Sequence, residues 1–123
     1  MTFLLVAVFG GVGAATRFVV DGLLRAARAH VLPVATMTIN VTGSLLIGLL
    51  AGAHLWHGLP VTWQTVAASG FCGGYTTFST AMVETVRLLQ AGEYRRAVVN
   101  VGGTLVLAVG AAALGVAVMA VTG

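Results

Sequence analysis

Four long apolar segments divide this chain, and they constrain its fold more than any other feature of the sequence. They cover residues 2–24, 32–56, 60–90 and 94–121. Each is long enough to cross the roughly 30 Å hydrocarbon core of a bilayer, which takes about 20 helical residues. Only 7% of the 123 residues are charged, against about 25% in soluble domains. We therefore predict an all-α membrane protein whose single domain, residues 1–123, holds four transmembrane helices.

The positive charge of the chain does not indicate nucleic-acid binding. The sequence pI near 10.0 comes from six arginines and no lysine, and five of the six lie at or near the ends of apolar segments. Charges at such positions set the topology of a membrane protein. The single cysteine, Cys72, excludes an internal disulfide and a cysteine-based zinc site. With no phosphate-binding loop and no catalytic cluster in the sequence, we predict no enzyme activity.

The arginines predict the orientation of the chain. The first loop region carries Arg25 and Arg28, and the third carries Arg87, Arg95 and Arg96. The loop between the second and third segments has no arginine, and neither terminus has one. Because cytoplasmic loops are enriched in Lys and Arg, the first and third loops are predicted to be cytoplasmic and both termini to lie outside the cell membrane.

The third segment has a more polar middle than a plain transmembrane helix. Three glycines, Gly70, Gly73 and Gly74, precede four hydroxyl residues, Thr76, Thr77, Ser79 and Thr80. Gly weakens a helix interior by about 1 kcal/mol, and hydroxyl side chains offer the backbone other partners. The pattern predicts a break over residues 73–77, which at membrane depth needs cover from protein or a water-filled cavity. A simple glycine kink for helix packing is the alternative.

Polar residues also form narrow stripes on the second and fourth segments. One stripe consists of Thr36, Asn40, Ser44 and Gly48, and the other of Asn100, Thr104, Ala108 and Gly115. Residues at i and i+4 share one helix face. Each stripe alone is typical of hydrogen bonding between helices. Together with the broken third segment, the two stripes indicate a polar path through the protein.

Apart from the topology arginines, three charged residues lie within the apolar segments. Arg17 and Asp21 are one helical turn apart and can pair, which would make a structural ion pair near the membrane edge. Glu84 comes one turn before Arg87 and either pairs with it or lies at a pore mouth. A structural or vestibule role is expected for Arg17 and Glu84.

Three motifs make the sequence resemble the Fluc (CrcB) family of fluoride channels. Residues 70–80, Gly-Phe-Cys-Gly-Gly-Tyr-Thr-Thr-Phe-Ser-Thr, are similar to the family signature. Residues 13–18 resemble its first-helix Gly-Ala-x-x-Arg pattern, and residues 40–50 resemble its second-helix Asn-x-x-Gly-Ser motif. Glu84 stands where the family places an acidic residue after the signature. The resemblance covers nearly the whole chain.

The resemblance implies an antiparallel dimer with two pores, each lined by both subunits. Backbone carbonyls matching Gly73 and Thr76 would hold a structural Na⁺ at the dimer centre. The fluoride path would use Asn40, Phe78, Ser79, Thr80 and, by a looser match, Thr104. Amide and hydroxyl groups donate hydrogen bonds in place of lost water, and the edge of an aromatic ring is electropositive. Flow would be passive and outward, because a negative interior drives an anion out by about 2.3 kcal/mol per 100 mV.

One position departs from the family pattern. Ala81 stands where a second phenylalanine is expected three residues after Phe78, so one ring is missing from the implied pore lining. The five-to-zero arginine bias also favours a single orientation, whereas an antiparallel homodimer needs the chain to insert both ways. We therefore expect this subunit to pair with a homologous chain of opposite orientation.

Two other functions stay open. A non-conducting subunit that orients or stabilises a competent partner would also explain Ala81. A small multidrug exporter is likewise a four-helix antiparallel dimer, but it needs a Glu in the first helix to couple protons. The first segment here holds only Arg17 and Asp21 as charged residues.

Overall fold

A computed structural model describes residues 1–27 and 33–123, and over these residues the chain is helical and has no strand. Its helices are α1 (Thr2–Ala27), α2 (Val34–Trp56), α3 (residues 61–75), α4 (Phe78–Gln90) and α5 (Tyr94–Thr122). Arg28, one of the topology residues, and residue 32, the predicted start of the second segment, lie outside the described residues.

Three of these helices, α1, α2 and α5, are long and apolar enough to cross a membrane. Large apolar side chains such as Phe3, Phe18 and Val106 are exposed on the surface of the chain. Water-soluble proteins rarely expose contiguous apolar area, whereas lipid covers it readily. The chain is therefore an all-α membrane protein, as predicted, in which α3 and α4 together occupy the place of the third segment.

Helix α3 changes its winding along its length. It is α-helical at Val61–Thr65, π-helical at Val66–Cys72 and α-helical again at Gly73–Tyr75. A π-helix closes its hydrogen bonds one residue later than an α-helix, and such segments are frequent at functional sites. The π-helical part packs on α1, and one short α-helical stretch, Gly73–Tyr75, separates it from the break.

Two extended residues separate α3 from α4. Thr76 has φ −79° and ψ 159°, and Thr77 has φ −147° and ψ 115°. This interruption is narrower than the predicted range of 73–77, because residues 73–75 stay helical. Thr76 closes α3 by donating its backbone N–H and its hydroxyl to the Cys72 carbonyl oxygen, at 2.9 and 2.8 Å. The helix therefore ends at the hydroxyl residues and not at the glycines.

Helices α1 and α3 are in backbone contact. A Cβ atom on Gly13 would lie 2.1 Å from the Phe71 carbonyl oxygen, and one on Gly74 would lie 2.0 Å from the Gly10 carbonyl oxygen. Any larger residue at these positions would push the helices apart. Gly13, of the first-helix pattern, and Gly74, of the residue 70–80 signature, thus allow the close packing by which membrane helices associate.

Helices α2 and α5 form the second close pair. A Cβ atom on Gly48 would lie 2.1 Å from the Ala112 carbonyl oxygen, and one on Gly115 would lie 2.7 Å from a carbonyl oxygen of α2. Nearer the start of α5, the buried Asn100 donates to the Thr85 hydroxyl of α4 at 2.8 Å. These members of the polar stripes therefore serve helix packing.

Candidate functional site

The amide of Asn40, on α2, supports the extended break. Its Nδ2 donates to the Thr77 carbonyl oxygen at 3.0 Å, and its Oδ1 accepts the Thr77 N–H at 2.8 Å. One side chain thus satisfies both backbone groups of a residue that has left the helix. Because an unsatisfied backbone group in hydrocarbon costs several kcal/mol, this pair of bonds lets the break exist in apolar surroundings.

A groove of about 490 Å³ runs beside this break, between α2, α4 and α5, and we name it the Asn40 groove. Its polar lining consists of Asn40, Ser44, Thr76, Thr77, Asn100 and Thr104, and its apolar lining includes Phe78, Ala81 and Met82. Three residues predicted for the fluoride path, Asn40, Phe78 and Thr104, are therefore brought together from three helices.

Phe78 and Ala81, the two positions at which the family pattern has phenylalanine, differ in their surroundings. Phe78 is 77% exposed, so most of its ring contacts nothing within this chain. Ala81 is 8% exposed and lines the Asn40 groove. A larger side chain at position 81 would therefore project into the groove.

Ser79 and Thr80 lie with Thr77 in a cluster of hydroxyl groups at the start of α4. The Thr77 hydroxyl donates to Thr80 Oγ1 at 3.1 Å, lies 3.5 Å from Ser79 Oγ and caps α4 by accepting the Thr80 N–H at 3.2 Å. Thr80 lines a second cavity and not the Asn40 groove, while Thr77 lines both. Of the predicted path residues, Thr80 is thus separated from Asn40, Phe78 and Thr104, and Ser79 lines neither space.

This second cavity, of about 280 Å³, lies between α1, α2 and α4, and we name it the Arg17 cavity. Its lining is Ala14, Arg17, Phe18, Asp21, Thr36, Ile39, Thr77 and Thr80. Arg17 Nη1 donates to the Thr76 carbonyl oxygen at 3.3 Å. That carbonyl has lost its helical donor, since the Thr80 N–H bonds to Thr77 Oγ1. A positive charge therefore lies beside the break.

Arg17 and Asp21 do not form the ion pair that their spacing allows. Asp21 instead accepts two bonds from Arg25 Nε, at 2.9 Å to each carboxylate oxygen. Arg17 and Arg25 are both four residues from Asp21, so spacing alone did not separate them. The Thr76 carbonyl, freed at the break, provides Arg17 with another partner, and Arg25 is left for the carboxylate.

Glu84 pairs with α1 rather than with the nearby Arg87. Arg25 Nη2 lies 3.5 Å from Glu84 Oε1, and the Thr36 hydroxyl donates to the same oxygen. The Glu84 side chain is only 14% exposed. The sequence interpretation treated Arg25 as a topology charge alone and missed its contacts with Asp21 and Glu84. The contact with Asp21 could have been predicted from the i, i+4 spacing of the two residues.

The carbonyl groups of Gly73 and Thr76, which the family resemblance assigns to Na⁺, lie at the end of α3. In a continuous helix the Thr77 N–H would bond to the Gly73 carbonyl, but here it bonds to Asn40. A Cβ atom on Gly73 would meet no atom of the chain within 4 Å. Residues 1–27 and 33–123 include no group of three or more His, Cys, Asp or Glu that could hold a metal ion. The donors here are oxygens, which hard cations prefer. The Thr76 oxygen also accepts from Arg17 but has a second lone pair, so Gly73 and Thr76 can each supply one oxygen ligand to such an ion.

Fold and site together define an all-helical membrane protein with a discontinuous helix beside a largely apolar groove that holds an amide and hydroxyl groups, a design typical of proteins that move ions. The profile of the CrcB-like (Camphor Resistance) protein family matches residues 4–116, so the chain belongs to the CrcB family.

Curated relatives agree with this assignment. Fluoride-specific ion channel FluC 1 of Leifsonia xyli subsp. xyli is 49% identical over 115 residues, which cover 94% of this chain and 84% of the relative. FluC 2 of Cutibacterium acnes is 42% identical over 118 residues, covering 95% and 96%. FluC of Renibacterium salmoninarum is 40% identical over 126 residues, covering 98% and 100%. The family resemblance is confirmed, and the relatives' names describe ion channels rather than enzymes, as predicted.

Proposed function

We propose that this chain is a subunit of a fluoride-selective passive channel that exports fluoride from the cytoplasm and so relieves fluoride toxicity. The observation that carries the proposal is the Asn40 groove, which unites an amide, hydroxyl groups and an exposed aromatic ring beside a helix break. The names of the relatives, which are fluoride-specific ion channels, support the same function.

The groups in the groove suit a small, strongly hydrated anion. Asn40 uses one amide hydrogen on the Thr77 carbonyl and keeps a second one to donate to an ion. The hydroxyls of Ser44 and Thr104 line the same groove, and the edge of the Phe78 ring is electropositive. Several weak contacts let an ion both arrive and leave. The Arg17 cavity, with Ser79, Thr80 and Glu84 beside it, would serve as the vestibule.

In this proposal a second chain completes the path. The exposed Phe78 and the open space at Gly73 support a partner on this face. The partner would be a homologous chain of opposite orientation, since the arginine bias gives this chain a single topology with both termini outside. The carbonyls of Gly73 and Thr76 would hold Na⁺ between the two subunits, where it would supply a fixed positive charge.

Efflux from liposomes tests the function. The purified chain is reconstituted alone, and fluoride release is followed with a fluoride electrode, with chloride as the control ion. Efflux only after co-reconstitution with a homologue of opposite arginine bias would support both the channel and the heterodimer. Rapid fluoride-selective efflux from the chain alone would support the channel and overturn the heterodimer. No efflux in either preparation would refute the channel.

Ala81 favours a second candidate, a non-conducting subunit that stabilises a conducting partner. Its small side chain leaves the groove without the second ring of the family motif. Ala81→Phe in the co-reconstituted channel distinguishes the two. A higher fluoride rate would mean that this chain lines a path weakened by the missing ring, whereas an unchanged rate would favour the non-conducting role.

A further inference from the structure

Four polar side chains tie the same end of three helices together. Asp21 and Arg25 belong to α1, Thr36 to α2 and Glu84 to α4. Arg25 Nε bonds both Asp21 carboxylate oxygens at 2.9 Å, and Arg25 Nη2 lies 3.4 Å from Thr36 Oγ1 and 3.5 Å from Glu84 Oε1. Arg25 is thus the member of this cluster that contacts the other three.

The cluster borders the Arg17 cavity. Asp21 and Thr36 line the cavity directly, and the largely buried Glu84 accepts the Thr36 hydroxyl. The charges of the two arginines, Arg17 and Arg25, balance those of the two carboxylates. Loss of Arg25 would leave one uncompensated negative charge beside the cavity. A negative charge there would repel an approaching anion, and the low-dielectric walls of a cleft strengthen such a field.

We propose that Arg25 is a positioning residue that makes the Arg17 cavity accessible to anions by neutralising Asp21 and Glu84. The inference rests on the proposed function, since the Arg17 cavity is there the vestibule of the fluoride path. Arg25 is half exposed, at 49%, and is not among the residues that line the cavity. It therefore acts through the two carboxylates and not by touching the ion.

Fluoride efflux from liposomes in dilute and concentrated impermeant salt tests the electrostatic role. In dilute salt, Arg25→Gln is expected to lower the rate about five- to tenfold, as loss of one charge beside a partly solvated cavity predicts. Arg25→Lys keeps the charge and is expected to stay within about twofold of the wild type. In 1 M salt the Debye length falls to about 3 Å, so the Arg25→Gln defect shrinks.

A second substitution separates charge from structure. Asp21→Asn in the Arg25→Gln background removes the uncompensated negative charge and is expected to restore the rate. Asp21 is chosen because Glu84 also holds the Thr36 hydroxyl, so its replacement would disturb another contact. Arg95→Gln, which removes an exposed arginine from the same predicted side, is the matched control and keeps the wild-type rate. Equal losses in Arg25→Gln and Arg25→Lys, with no recovery in the double variant or in salt, would overturn the proposal.

A measurement that needs no fluoride flow distinguishes this inference from the proposed function. Thr80 lines the Arg17 cavity, so Thr80→Cys in a Cys72→Ala background reports the local potential. The readout is the ratio of its modification rates by a negatively and a positively charged methanethiosulfonate. Arg25→Gln is expected to lower this ratio about tenfold, as one uncompensated negative charge beside the cavity predicts. An unchanged ratio overturns the inference even where the wild type conducts, whereas a wild type without fluoride efflux refutes only the proposed function.

Discussion

Gly13→Ala tests how closely α1 packs against α3. The added Cβ would lie 2.1 Å from the Phe71 carbonyl oxygen and 3.0 Å from the Tyr75 backbone nitrogen, where ordinary contacts begin at 3.4 Å. Both neighbours are backbone atoms of one helix, so they cannot rotate aside as a side chain would. The two helices must separate by more than an ångström. Overpacking of this kind costs about 1–3 kcal/mol, and we expect the upper end of that range.

Gly11→Ala is the matched control for this prediction. It lies on the same helix two residues away, and a Cβ atom there would meet nothing within 4 Å. Replacing a helical Gly by Ala is otherwise favourable by about 0.5–1 kcal/mol, so this variant is expected to match or exceed the wild type. Unfolding free energies in detergent micelles, from titration with a denaturing detergent, provide the comparison. If Gly13→Ala proves as stable as Gly11→Ala, the backbone contact between α1 and α3 is not present.

Three further substitutions or exchanges test the break and the proposed interface. Asn40→Ala removes both bonds to Thr77, so we expect a loss of about 2–4 kcal/mol in unfolding free energy together with loss of fluoride efflux; wild-type stability would contradict the support given by the amide. Gly73→Ala places a methyl group in open space in this chain, so the thermal unfolding midpoint of the isolated chain should stay unchanged. The yield of cross-linked dimer in liposomes should fall, and an undiminished yield would argue against an interface there. Replacing Na⁺ by N-methylglucamine should also reduce the cross-linked dimer of the wild type, and equal yields in both solutions would count against the sodium site.

The bounds of the long helices could be predicted from the sequence because they follow the lengths of the apolar segments. Residues 2–24 and 94–121 were predicted for the first and fourth segments, where the helices run over Thr2–Ala27 and Tyr94–Thr122. Hydropathy carries no comparable signal for the π-helical winding at Val66–Cys72, which packs on α1. The glycines indicated a break over residues 73–77, yet residues 73–75 stay helical.

The contacts of the site were harder to predict, because each joins residues distant in the chain. Asn40 is predicted as an ion-path residue, and this stays a prediction; the structure shows that it lines the Asn40 groove. Its two bonds to Thr77 depend on an approach of α2 to the break that no local pattern encodes. Asp21 had arginines at equal spacing on both sides, and only the freed carbonyl of Thr76 determines which of them it binds. Local spacing shows which residues can pair, and contacts between residues distant in the chain determine which pairs form.

The short helices on either side of the break bear on how the chain enters a membrane during synthesis. Helix α4 has 13 residues and extends about 20 Å at 1.5 Å per residue, less than the roughly 30 Å of hydrocarbon, so α3 and α4 would cross a membrane only as one unit. The backbone N–H and carbonyl of Thr77 then both need a hydrogen-bond partner. That partner, Asn40, belongs to a helix synthesised earlier, so it is already in the bilayer when the break emerges. A circularly permuted chain that made α2 last would reverse this order and bring the break into lipid with both groups unpaired.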